Sequence, residues 1–212
     1  MNMSAPTLRE VTRQAARERI SDVAIELFIE RGYDATTVEE IATAAGISER
    51  TFFRYFPTKD EVFFSRAAAD TQTLIDHVTA RPADEAPWVA LQAAVDSTLL
   101  ELDRAENSDR SRTYRTVLAH SADLLAHQFT RLSDALTAIS DTLWERWAAA
   151  EDPTDPDAKI LIRTLVSSAL GAVNEVMSFA EDRTPAERRR LVHNTLSAIR
   201  PARPDLGGST AG

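Results

Sequence analysis

GISERTFFRYFPTK, running from Gly46 to Lys59, sets Phe52, Phe53, Arg54, Tyr55 and Phe56 in an unbroken row. Wound as a helix, the stretch puts Phe52 and Phe56 one turn apart on one side, while Glu49, Arg50, Thr51, Phe53, Arg54 and Tyr55 fill the other. The segment carries its own start and stop signals. Gly46 supplies a tight turn, and Ser48 is a helix cap flanked by Ile47 and Phe52 at the two positions of a hydrophobic staple. Pro57 disfavours helical geometry in Phe56. The spacing therefore predicts a short helix from Glu49 to about Phe56, with one face turned to a core and the other left outside.

Working outward, Thr36 and Thr37 both stand three residues before a glutamate, Glu39 or Glu40, so either can cap a helix whose inner face is Val38, Ile41, Ala42 and Ala45. Before it, Ile20, Val23, Ala24, Leu27 and Phe28 recur at helical spacing and end at Gly32, a C-terminal cap. After it, Thr58 with Glu61 forms a capping box for a fourth helix. Short helices joined by a glycine turn make a helix-turn-helix. Glycine occurs before residue 200 only at Gly32, Gly46 and Gly171, too sparsely for phosphate-cradling loops, and nothing alternates apolar and polar residues as a strand does. The expected fold is all-α: an N-terminal arm and helix-turn-helix domain over 1–58, a larger helical domain over 59–200, and a disordered tail over 201–212.

Composition narrows the chemistry. Among 212 residues there is no cysteine, which excludes disulfides and thiolate metal sites, and the start lacks the apolar stretch of a secretory signal. No continuous apolar run reaches the length of a membrane span, so the expectation is a cytoplasmic protein with no membrane partner. His120 and His127 lie two turns apart without the carboxylates or cysteines of a metal signature; no metal or cofactor is expected. Without a nucleophile elbow, paired-carboxylate motif or metalloprotease helix, the chain does not read as an enzyme.

The net charge is −9, yet residues 48–59 hold three basic side chains and one acidic. Arginine reaches guanine edges bidentately, threonine and aromatic groups meet thymine methyls, and hydroxyls or a lysine hold phosphates. A compact domain has no need to expose such a row together, whereas DNA needs it. The string TTVEEIATAAGISERTFFRYFPTK, within a match over about residues 16–64, resembles the DNA-binding signature of TetR-type transcriptional regulators of bacteria. That resemblance implies that Thr37, Arg50, Thr51, Phe53, Arg54, Tyr55 and Lys59 face operator DNA. Ser48, which caps the helix, and Glu49, on its exposed face, complete the candidate DNA-binding set. Phe53 stands where the family commonly has tyrosine, so an apolar contact replaces a phosphate hydrogen bond there.

The resemblance also implies a ligand-responsive homodimeric repressor. RTFFRYF and the tryptophan-bearing second domain are similar to a subgroup whose effector domains accept acyl-CoA-like or other lipophilic molecules. Large aromatic and polar-tipped residues on inward positions, Trp88, Tyr114, His120, Phe129, Trp147 and Met177, are the candidate ligand walls. In the last two helices Leu165, Ala169, Gly171, Ala172 and Val176 form a small-residue strip, faced by Val192, Leu196 and Ile199; the resemblance makes it the dimer seam. The alternative reading is a helical interaction or scaffold protein without sequence-specific DNA binding.

Overall fold

Thr7 closes a capping box with Glu10 and starts the first helix, and from there the residues described by the computed structural model, 7–104, 114, 116–151, 157–180 and 182–201, are helical almost throughout. The elements are α1 (Leu8–Arg31), α2 (Val38–Ala45), α3 (Glu49–Tyr55), α4 (Lys59–Thr79), α5 (Pro87–Arg104), α6 (Ala122–Glu151), α7 (Ala158–Phe179) and α8 (Pro185–Ala198), with a further helical stretch at 116–119. No strand occurs among the described residues. The expected disordered tail falls outside them, Pro201 excepted.

The chain divides into two compact units. The first comprises Met1–Ala68 with Asp109–Gln128, the second Ala69–Ser108 with Phe129–Gly212. A boundary at residue 58 is thus too early, and the first unit is not one continuous stretch. The reason is packing: Val62, Phe63 and Phe64 of α4, with Val117 and Leu124, are buried in the same core as Ile20, Ala24 and Phe28 of α1, Ile41 of α2 and Phe52 of α3. Tyr114 stacks on Phe63 with ring centroids 4.5 Å apart, and Phe28 and Tyr33 lie 4.9 Å apart. Each such ring taken fully from water contributes roughly 1.5–3 kcal/mol.

Turn chemistry fixes the order of the short helices. Gly46 takes the left-handed conformation at φ 72°, and the Ile47 N–H reaches back to the Ala42 carbonyl at 2.9 Å, closing α2 before α3 begins. Thr37, not Thr36, is the cap of α2: its N–H donates to Glu40 at 2.8 Å, and its Oγ1 accepts the Glu40 N–H at 3.2 Å. Thr36 is buried instead, with its hydroxyl donating to the Gly32 carbonyl at 2.8 Å.

The second unit has its own core, in which Trp88, Leu91 and Val95 of α5 meet Ile139, Leu143 and Trp147 of α6, Ile162, Val166 and Ala169 of α7, and Val192 and Leu196 of α8. Only part of the apolar stripe on α6 is used. Ile139 and Leu143 are buried, but Leu125, Phe129 and Leu132 on the same row are exposed. Helix α7 is long and apolar enough, by length and composition, to cross a membrane, although no continuous run of its sequence is uncharged for that length.

Candidate nucleic-acid interface

Helix α3 is held from behind. Phe52 and Phe56 are fully buried, 6.0 Å apart between ring centroids, so the seven-residue helix is anchored at its middle and at its cap residue. Ser48 accepts the Thr51 N–H at 3.2 Å and holds the other end. With these fixed, Glu49, Arg50, Phe53 and Arg54 are exposed and Thr51 and Tyr55 half-buried, which is the division the spacing predicts. Phe53 is 50% exposed, with its edge against Phe52 at 5.5 Å between centroids. Burying an aromatic ring is favourable, so leaving this one in water makes it available to an outside surface.

The polar groups of the row differ in how committed they are. Arg50 has no hydrogen bond or ion pair among the described residues, and the Arg54 guanidinium lies over the Tyr55 ring at 5.3 Å. Both forks are free to reach bidentate acceptors. Hydroxyls of Ser48 and Thr51 lie 3.0 Å apart and engage each other, and the Thr37 hydroxyl engages Glu40 at 3.2 Å.

Lys59 is placed differently from a free phosphate hand. Its Nζ donates to the carbonyls of Tyr33 at 2.8 Å and Thr36 at 3.0 Å, and sits 4.1 Å from the centroid of the Tyr33 ring. Burial draws its pKa down, opposed by Asp34, Asp60 and Asp123. Two of its three N–H groups are used to tie the loop before α2 to the start of α4. The same corner is tied again through Asp60, which accepts the Tyr33 hydroxyl and pairs with His127. Burial first, then the bond to Asp60, pushes the Tyr33 hydroxyl pKa up, so it stays a donor.

One residue of this corner carries no apolar period and was not legible as a site. Arg17 of α1 donates to the Tyr55 carbonyl and lays its guanidinium 4.2 Å over the Phe56 ring, fastening α1 to the C-terminal end of α3. The available signal was the repeat of arginine at 9, 13 and 17.

The ligand candidates fall in both units. Tyr114 and His120 belong to the first unit, where Tyr114 donates to Gln128 at 3.0 Å and the exposed His120 is 2.6 Å from the Thr116 carbonyl. Phe129 is 75% exposed, and Met177 is half-buried. Trp88 and Trp147 are core residues of the second unit; the Trp88 indole N–H is buried with no acceptor among the described residues. A cavity of about 430 Å³ does occur in this unit, between the end of α7 and α8, lined by Phe179, Ala180, Asp182, Arg183, Glu187, Arg190, Leu191 and Asn194, none of them among the residues expected to hold a ligand.

The candidate seam separates into two faces. Ala169, Val176, Val192 and Leu196 are buried within the chain, and Leu165 and Ala172 pack against them, because α8 lies on that side of α7. The four buried ones cannot be reached by a partner without opening the core, whereas Leu165 and Ala172 are only half-buried. On the outer side Gly171 is exposed with nothing within 4 Å of where a Cβ would stand, and Ile199 is exposed with Ile160, Leu161, Phe179 and Leu191. Near these helices Arg189 pairs with Asp103 of α5.

Comparison with known proteins agrees with this geometry. Residues 20–65 match the family described as bacterial regulatory proteins, tetR family, which spans α1 from its first buried residue to the start of α4. TcmR, an HTH-type transcriptional regulator of Streptomyces glaucescens, is 36% identical over 96 residues, 45% of this chain but only 42% of TcmR's own length. The HTH-type transcriptional repressor Rv1474c of Mycobacterium tuberculosis is 30% identical over 178 residues, covering 70% of this chain and 90% of its own. Among solved structures, SmeT in complex with triclosan superposes with a TM-score of 0.55 at 27% identity, over 87% of this chain and 91% of that one; SmeT is the repressor of the Stenotrophomonas maltophilia multidrug efflux pump SmeDEF. With a relative matched over nine-tenths of its length and a helix-turn-helix presenting a free basic and aromatic row, the chain belongs to the tetR family of bacterial regulatory proteins.

Proposed function

We propose that this chain is a homodimeric, cytoplasmic transcriptional repressor that binds a partly palindromic operator and is released from it by a small, largely apolar ligand, an acyl-CoA-like molecule included. The observation that carries the reading is α3, whose buried Phe52 and Phe56 leave the guanidinium groups of Arg50 and Arg54 unpaired on an exposed face. A scaffold role would leave two free arginine forks and a half-exposed Phe53 without a task. In the family of transcriptional regulators to which it belongs, we read the chain as a non-enzyme.

The dimer is supported by the outer face of α7 and α8, where Gly171, Phe179 and Leu191 lie open and no membrane is needed to explain the apolar character of α7. Two-fold symmetry would set two copies of α3 about 34 Å apart, one DNA turn. Ligand release is supported by SmeT, solved with triclosan, and by the unpartnered Trp88 N–H, since a buried donor without an acceptor costs about 1–3 kcal/mol unless something completes it. The test is nuclease protection of the DNA upstream of the chain's own gene. A protected site of two half-sites that opens on adding a lipophilic ligand is the expected result, and uniform cleavage at saturating protein would refute the reading.

A further inference from the structure

Helix α1 is longer than its core contacts require. It starts at Leu8, but residues 8–15 are all exposed and its first buried residue is Ile20, so roughly two turns of helix project without covering any apolar core. Isolated helices of this length are marginal in water, and most helical stability in proteins comes from packing. The capping box at Thr7 and Glu10 and the bond from Gln14 to Glu18 at 2.9 Å hold these turns locally. Some other task must use the exposed surface they present.

Arg9, Arg13 and Arg17 recur at i, i+4 and i+8 and share one face of the helix. Like charges at this spacing disfavour a helix, and Arg13 acts on Arg17 to lower its proton affinity, second to burial. Glu10, bonded to Thr7, and Glu18, bonded to Gln14, form no ion pair with them among the described residues, and Glu61 opposes Arg13 only at Arg17. Arg9 and Arg13 have no ion pair or hydrogen bond among the described residues. The base of the row is fixed, because Arg17 donates to the Tyr55 carbonyl and lies on the Phe56 ring at the C-terminal end of α3. The arginine row thus begins at the end of the DNA-facing helix and continues outward from it.

We infer that Arg9 and Arg13 are a second DNA contact, a backbone clamp that meets the phosphates flanking the base pairs read by α3. This rests on the operator-binding reading of α3. In a chain of net charge −9, two unpaired arginines continuous with the basic face fit a polyanion, and the sequence-independent phosphate backbone is the part of DNA such a row reaches. Arg17 is their positioning residue: held by Tyr55 and Phe56, it sets the angle at which the row leaves α3.

The experiment uses the full chain and measures operator affinity across a potassium chloride series for wild type, the double variant Arg9→Ala with Arg13→Ala, and the double variant with lysine at both positions. Two lost phosphate contacts in each subunit, four in the bound dimer, should make the slope of log affinity against log salt shallower by about 3.6. Between 50 and 200 mM salt the wild-type dimer should therefore lose on the order of a hundredfold more affinity than the alanine variant. A duplex of unrelated sequence should show the same change, and the lysine variant should restore the slope. Alanine favours helix and removes the repulsion, so the variant's melting temperature should be equal or higher, which separates a lost contact from a lost fold. An unchanged slope, or lysines that fail to restore it in a folded protein, overturns the clamp and assigns the row to something other than DNA phosphate. If wild type binds no duplex at all, the reading of α3 itself fails; if the clamp variant binds like wild type while Arg50→Ala loses affinity, only the clamp fails.

Discussion

At the residue scale, what decides the role of a basic side chain is whether its N–H groups are already used. Arg50 and Arg54 keep theirs free, so replacing either with alanine should cost about 1–3 kcal/mol on the cognate operator and relax base preference at one position per half-site. Lys59 differs, since two of its N–H groups hold the carbonyls of Tyr33 and Thr36. Lys59→Ala leaves two partly buried acceptors unsatisfied and should lower the stability of the first unit by roughly 1–3 kcal/mol, read by urea denaturation. If Lys59→Ala denatures like wild type yet binds all DNA more weakly, the lysine is a phosphate contact after all. The sequence made one half of this legible. Phe52 and Phe56 could be assigned to the core from their spacing, because one helical turn is a local rule. The carbonyls that hold Lys59 lie more than twenty residues earlier in the chain, and no local rule points to them.

At the scale of elements, caps were legible where one side chain and one glutamate settle them, and ambiguous where tertiary packing chooses. Thr36 and Thr37 are equivalent by spacing; burial of Thr36 under the end of α1 decides for Thr37. Periodicity also named a face without saying what covers it, so the stripe on α6 continued through Phe129 although nothing described packs there. Ala169 and Val176, expected at a seam, are buried in the chain's own core, since a small-residue strip looks the same against either neighbour. The caps have a pH signature. Backbone and then side-chain hydrogen bonds from Thr7, Thr37 and Thr184 hold Glu10, Glu40 and Glu187 below the ordinary glutamate value of 4.5. A carboxyl whose folded pKa is depressed adds stability that is present above its unfolded value and lost as pH falls through the folded one. Melting temperature should therefore drop as pH falls below 4.5, and less steeply when Glu40 and Glu187 are both glutamine. Circular dichroism melts over that range check it; parallel curves would show that the caps contribute nothing through their charge.

At the scale of the whole molecule, a repressor needs two heads, a partner surface and a ligand that favours one arrangement. The open face around Gly171 gives the partner surface a direct probe. A Cβ added at Gly171 meets nothing within 4 Å, so the Gly171→Glu subunit should still fold, while a buried charge at the seam should dissociate the dimer at micromolar concentration. Leu196→Ala, in the core, should instead cost about 2–5 kcal/mol of stability. Sedimentation separates the two, and a Gly171→Glu protein that stays dimeric would move the seam elsewhere. A ligand shifts the heads only if it prefers one state; a coupling of about 1–3 kcal/mol weakens operator binding roughly 5- to 150-fold, and operator weakens ligand binding equally. All of this depends on α3 reading bases. Selection of bound duplexes from a random-sequence pool by purified wild-type protein tests that most directly. The account predicts enrichment of one motif with two half-sites about one DNA turn apart, and recovery of duplexes no different from the starting pool would contradict it.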